Sequence, residues 1–209
     1  MSREPLEQRV LGLLRNHPAV QSVELVGSRA EGHANERSDW DFRVVTDAFE
    51  RLAPALPGLL APLDPIAQQW DRLSDHPCWM LMLAGPVKID LIFAEETKEP
   101  GPPWAPTAEN LPDIDAHFWD WILWLGSKEA AGKHELLRKE LQKLFDNLLA
   151  PLGADRPPLS IADAIATYRE ARDQAEARLG VKVPRTLEAE VGPALENSRR
   201  FHSRLSQRS

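Results

Sequence analysis

The chain has a single cysteine, Cys78, so neither an internal disulfide framework nor a cysteine-rich zinc site can be built from it. In Pro-Cys-Trp-Met that thiol reads as a small buried apolar side chain. No stretch approaches the ~20 consecutive apolar residues of a membrane-spanning helix. The opening Met-Ser-Arg-Glu-Pro-Leu-Glu turns charged at once and lacks the apolar stretch of a secretory signal, so the expectation is a soluble, cytoplasmic protein without a membrane partner. Positive charge is not in excess either: 25 Lys and Arg face 32 Asp and Glu, a formal net charge of -7. Long-range electrostatics then oppose docking on a phosphate backbone, and no nucleic-acid partner is expected. Internal repeats and extended low-complexity segments are absent.

What is present is an ordinary globular balance, 43% hydrophobic and 27% charged, in a length that accommodates a catalytic module and a modest second unit. Leu6, Val10, Leu13 and Leu14 lie on one stripe of a helix spanning 4–17, closed by Pro18. Strands are predicted at 23–26 and 40–46, the second alternating Phe42 and Val44 against Asp41, Arg43 and Val45. Thr46 or Asp47 can cap a following helix, with Glu50 completing a capping box and Pro54 and Pro57 breaking the helix up. Runs at 79–83 and 87–93 flank Ala84-Gly85-Pro86, which suits a tight hairpin.

The proline-rich stretch 100–106 carries neither period and marks a boundary between domains at 1–100 and 108–209. Helices are predicted beyond it at 112–126, 129–149, 160–179 and 184–204, the third capped by Ser160, with an Arg-rich tail from Arg199 to Arg208. The fold class is therefore α+β: an N-terminal domain with a mixed sheet flanked by helices, followed by a C-terminal helical bundle.

The chemistry concentrates in Gly27-Ser28, Ser38-Asp39-Trp40-Asp41 and Lys88-Ile89-Asp90-Leu91. Residues two apart on a strand share a face, so Asp39 and Asp41 can aim both carboxylates into one cleft. Asp90 interrupts an otherwise apolar strand, where an unpaired carboxylate is costly and a metal would satisfy it. If the two strands are neighbours, three carboxylates could hold two magnesium ions, which take hard oxygen ligands. Gly27 lets the backbone approach a ligand at the strand's end, with the Ser28 hydroxyl and nearby amides donating to phosphate oxygens. Arg29 either neutralises charge there or faces solvent.

The order Gly-Ser, about ten residues, Ser-Asp-x-Asp, then an Asp in an apolar strand resembles the signature of the polymerase-beta-type nucleotidyltransferase superfamily, over about residues 20–95. With Gly27-Ser28-Arg29 after the first strand and a helical second half, the chain looks most like the antibiotic nucleotidyltransferases, the streptomycin adenylyltransferases among them. That resemblance implies a nucleoside triphosphate donor, ATP, and magnesium. It also implies a helix resembling Lys-Gly-Leu-x-Arg-x-Glu that holds the triphosphate. Here Lys133-His-Glu-Leu-Leu-Arg-Lys-Glu140 matches in part: Leu137, Arg138 and Glu140 fall in place, His134 stands at the lysine position, and Lys133 lies one residue earlier. Lys133, His134 and Arg138 are thus candidates for nucleotide binding, or else solvate their helix.

On the helix from Asp113, residues Ile114, Phe118, Trp121, Ile122 and Leu125 form a core stripe, while Asp113, His117, Asp120 and Trp124 share the opposite side. Acids beside an aromatic suit a polyhydroxylated or cationic small-molecule acceptor, and the same pattern also suits a plain exposed face. The mechanism this implies has Asp39 and Asp41 holding metal, with Asp90 completing a site or taking the acceptor's proton. Rival readings are a protein-modifying AMP transferase of toxin-antitoxin type and an inactive nucleotide-binding module.

Overall fold

Backbone contacts in the computed structural model, which describes residues 4–35 and 38–195, divide the chain into two compact units, Met1–Gly101 and Pro102–Ser209. The first opens with helix α1 (Leu6–Arg15). Val10, Leu11 and Leu14 are buried, so Leu11 joins the predicted stripe while Leu13 is half-buried. Strand β1 (Val20–Val26) starts earlier than its apolar run suggests, because the exposed Gln21 and Ser22 hide it from the pattern. After a four-residue helix, α2 (Gly27–Ala30), comes β2 (Trp40–Thr46), with Phe42 and Val44 buried as the alternation predicts.

The predicted capping box after β2 does not form. Thr46 Oγ1 donates instead to the Ala19 carbonyl at 2.6 Å and accepts from the Ala48 N–H at 3.1 Å. It ties the end of β2 to the residue that precedes β1. Helices α3 (Phe49–Leu52) and α4 (Leu56–Leu60) are separated by a 3₁₀ turn. Pro54 and Pro57 sit in first turns, where a missing N–H costs nothing. Strand β3 (Ala67–Trp70) escapes the sequence pattern, since Ala-Gln-Gln-Trp shows no clear alternation and none of it is fully buried. Then β4 (Cys78–Leu83) and β5 (Val87–Ile92) form the predicted hairpin, its turn relying on Gly85 at φ 101°.

The sheet runs β1-β2-β5-β4-β3, with β2 and β5 parallel and every other pair antiparallel. Phe42, Val44, Ile89 and Leu91 meet Val10 and Leu14 of α1 and Leu52, Leu56 and Leu60 in one core. A mixed sheet with helices and a later helical unit is the α+β class expected.

The second unit begins its helices with α5 (Leu111–Ala130), which runs straight through the break predicted near residue 126. Gly126 is there for packing: a Cβ would lie 2.3 Å from Leu195 Cδ2. The break falls at Gly132, φ 71°, so α6 (His134–Leu144) begins five residues later than expected. A π turn at Phe145–Leu149 then interrupts the long predicted helix before α7 (Ala150–Leu152). Pro151 has no N–H for the Asn147 carbonyl, which instead accepts from Trp104 N–H at 2.9 Å. Ser160 caps α8 (Ile161–Leu179) by accepting from Asp163 N–H, and Gly180 at φ 68° closes it. Residues 186–195 are helical; the remainder of the predicted last helix and the Arg-rich tail lie outside the described residues. No described helix is long and apolar enough to cross a membrane.

Candidate functional site

Strand register gathers the candidate residues of the first unit. Because β1 and β2 are antiparallel with Val26 opposite Asp41, the turn that follows β1 lies beside the start of β2. Because β2 and β5 are parallel with Asp41 opposite Asp90, those two carboxylates share one face, and the buried Phe42 and Leu91 take the other. Asp39 precedes β2 by one residue and is buried at 6% exposure. Ligand oxygens of Asp39, Asp41 and Asp90 lie within 4.8 Å of one another. Three like charges in so small a space favour a cation among them.

Gly27 is required by this crowding. Its φ is +67°, and a Cβ there would stand 2.6 Å from Asp41 Oδ2. Glycine thus provides both the left-handed turn and the room for the Asp41 carboxylate. Ser28 follows within α2, its carbonyl accepting from His33 N–H at 2.9 Å.

Arg29 is half-buried, and its guanidinium donates to backbone carbonyls. Its Nε and Nη2 donate to the Ser38 carbonyl at 3.0 and 2.6 Å, and Nε also reaches the Asp39 carbonyl at 3.1 Å. The guanidinium lies 4.1 Å from the Trp40 ring centroid. Burial lowers its pKa from the ordinary value, opposed by the nearby charges of Asp39 and Asp41. Arg29 therefore fixes the chain that presents Asp39 and adds positive potential beside it.

Sequence reasoning missed Lys88. The strand would have left Asp90 as a lone carboxylate among apolar residues, but Lys88, two residues earlier on the same face, forms an ion pair with it. The signal was available in the i, i+2 spacing of Lys88-Ile89-Asp90.

In the second unit, Lys133, His134 and Arg138 are exposed around the start of α6, beside the buried stripe Leu137, Leu141, Leu144 and Leu148. On α5, Asp113 is exposed and Trp124 half-buried, whereas His117 and Asp120 are buried at 4% and 8% exposure, against the expectation of one open face. His117 packs edge-on with the rings of Trp104 and Trp121, at centroid distances of 6.0 and 5.6 Å. Trp121, expected in the core, is only half-buried. The plain exposed-face reading thus fails for His117 and Asp120.

A family model described as a nucleotidyltransferase domain matches residues 7–104. No curated protein matches the chain. Among solved structures, the crystal structure of an aminoglycoside 6-adenyltransferase from Bacillus subtilis is similar, at 14% identity and a TM-score of 0.37, with 94% of this chain and 98% of that one covered. The matched segment contains the whole five-stranded sheet with its three clustered carboxylates. Residues 7–104, just under half of the chain, match the nucleotidyltransferase domain family.

Proposed function

We propose that the enzyme uses magnesium to transfer AMP from ATP to a hydroxyl of a small molecule of aminoglycoside type. The observation that carries this reading is the convergence of Asp39, Asp41 and Asp90 within 4.8 Å, beside the Gly27 turn. A set of three carboxylates is the hard-oxygen donor set that magnesium prefers, and two ions are the expected complement. When bound, magnesium neutralises phosphate charge and polarises the phosphoryl oxygens.

The chain's own residues do the rest. Asp39 and Asp41 hold the metal, Asp39 on a backbone that Arg29 pins through the Ser38 and Asp39 carbonyls. Asp90 would complete a metal site or accept the acceptor's hydroxyl proton; the oxygen bonds to the α-phosphorus as the α–β phosphoanhydride bond breaks and pyrophosphate leaves. The Ser28 hydroxyl donates to phosphate oxygens, so catalysis is mainly positioning and electrostatics. By resemblance, Lys133, His134 and Arg138 bind the triphosphate; by their mix of acids and an aromatic on one helix, the α5 residues Asp113, His117, Asp120 and Trp124 are the acceptor-recognition set. An acidic protein and acidic α5 positions favour a cationic, polyhydroxylated acceptor.

The test is pyrophosphate release from each nucleoside triphosphate with magnesium, across aminoglycosides, lincosamides and candidate proteins, with Asp39→Ala as control. Release that depends on ATP and an aminoglycoside, and that the variant lacks, is expected. Release only with a protein acceptor would replace the small-molecule reading; nucleotide binding without release from any acceptor would overturn the reaction.

A further inference from the structure

We infer that Lys88 is a built-in counter-charge of the acidic cluster, and that by holding Asp90 it sets how tightly the three carboxylates bind a divalent cation. The inference rests on the metal-binding reading of Asp39, Asp41 and Asp90. Lys88 and Asp90 project from the same face of β5 as an ion pair, their side chains only 5% and 15% exposed. Across the ladder, Met82 stands opposite Lys88 and Met80 opposite Asp90, both buried. On the β4 side the pair therefore meets apolar side chains, and a buried ammonium there is tolerated only against partner charge, which the carboxylates supply.

The carboxylate that Lys88 engages is also the one whose oxygen lies within 4.8 Å of Asp39 and Asp41 oxygens. A divalent cation entering the cluster must share Asp90 with the ammonium or displace it, and it meets a positive charge a few ångströms away in either case. Arg29 differs, because its hydrogen bonds go to backbone carbonyls. Lys88 is thus a positioning residue acting through Asp90. It relieves carboxylate repulsion before metal arrives and weakens the metal's hold, which keeps the site exchangeable.

The experiment titrates Mn2+ alone into the full-length wild type, Lys88→Met, Lys88→Arg, Asp90→Asn and the Lys88→Met/Asp90→Asn double variant, reading free Mn2+ by electron paramagnetic resonance. Thermal midpoints with and without MgCl2 accompany it. Lys88→Met should bind Mn2+ about tenfold tighter than wild type. It should also melt lower without metal and show a larger metal-induced rise in midpoint. Lys88→Arg, which keeps the charge, should stay nearer the wild type. In the Asp90→Asn background the Lys88→Met gain should vanish. If Lys88→Met does not fold, Lys88→Gln carries the same expectation. Unchanged or weaker Mn2+ binding by the neutral variant, or a gain that persists without Asp90, overturns the role of Lys88 and leaves the metal reading standing. A wild type that binds no Mn2+ overturns both.

Discussion

The acids of the two units are handled in opposite ways. In the second unit the buried carboxylates Asp115 and Glu176 are surrounded by donors. Asp115 accepts from Tyr168 Oη at 2.6 Å and Trp119 Nε1 at 3.2 Å, with Arg172 at 3.7 Å. Glu176, 1% exposed, takes the Val183 N–H, Lys182 and both Arg185 nitrogens. In the first unit three carboxylates are pressed together, with Lys88 paired to Asp90 while the nearby Arg29 spends its hydrogen bonds on backbone. Hydrogen-bonded acids answered by cations hold helices together, whereas crowded acids store repulsion that a bound cation can relieve. The same side-chain chemistry is structural in one place and suited to holding a cation in the other.

The sharpest break of this comparison is Asp41→Asn. Turnover, measured as acceptor-dependent pyrophosphate release, should fall on the order of 10³-fold, about 4 kcal/mol of transition-state stabilisation. The metal-free thermal midpoint should hold or rise, because one of three like charges is gone. Gly27→Ala comes next. Its methyl would be forced against Asp41 Oδ2 at a φ of +67°, so turnover should drop on the order of 10²-fold. Stability should fall by about 1 kcal/mol for the left-handed alanine, read from urea unfolding. A Gly27→Ala enzyme with normal turnover would mean that Asp41 has more latitude than the geometry gives it.

Tyr168→Phe probes the other side. It removes one donor from the buried Asp115, whose carboxyl pKa burial already raises against the pull of Tyr168 and Arg172. Unfolding free energy should fall by about 2 kcal/mol, with turnover per folded molecule preserved well below the melting range. The two units then respond with opposite signatures: activity lost without stability in one, stability lost without activity in the other. Equal loss of both in either variant would erase the distinction.

How much of this could be read from the sequence follows the range of the interactions. Asp39, Asp41, Phe42 and Val44 were legible because strand periodicity is local, and β2 has the limits predicted for it. The approach of Asp90 to Asp41 needed a parallel pairing across the intervening chain, which the motif spacing suggested and no local pattern could establish. The Arg29 hydrogen bonds were beyond any local pattern, because their carbonyl acceptors lie nine and ten residues away. In the second unit, the Gly126 position looked like a helix end, since its packing partner Leu195 is distant in sequence. The π turn had a cue in Pro151, but the Trp104 N–H that takes up the freed Asn147 carbonyl did not. The Glu176 cluster went unnoticed for a related reason: its cations follow the α8 terminus and fold back only because Gly180 adopts a left-handed conformation.

That cluster gives the smallest effect and a test by pH. Hydrogen bonds from Arg185, then from Lys182 and the Val183 N–H, bring the Glu176 pKa from the ordinary 4.5 to about 2. A carboxyl depressed on folding binds fewer protons in the native state than in the unfolded one. Its contribution is therefore complete above about pH 4.5 and is lost as pH falls through about 2. With Lys182 largely exposed and screened, the contribution is on the order of 1–2 kcal/mol. Urea unfolding of wild type and Glu176→Gln between pH 6 and pH 2 should show the variant weaker at neutral pH and the two curves converging as acid is added. Curves that stay parallel would assign the acid sensitivity to other carboxylates.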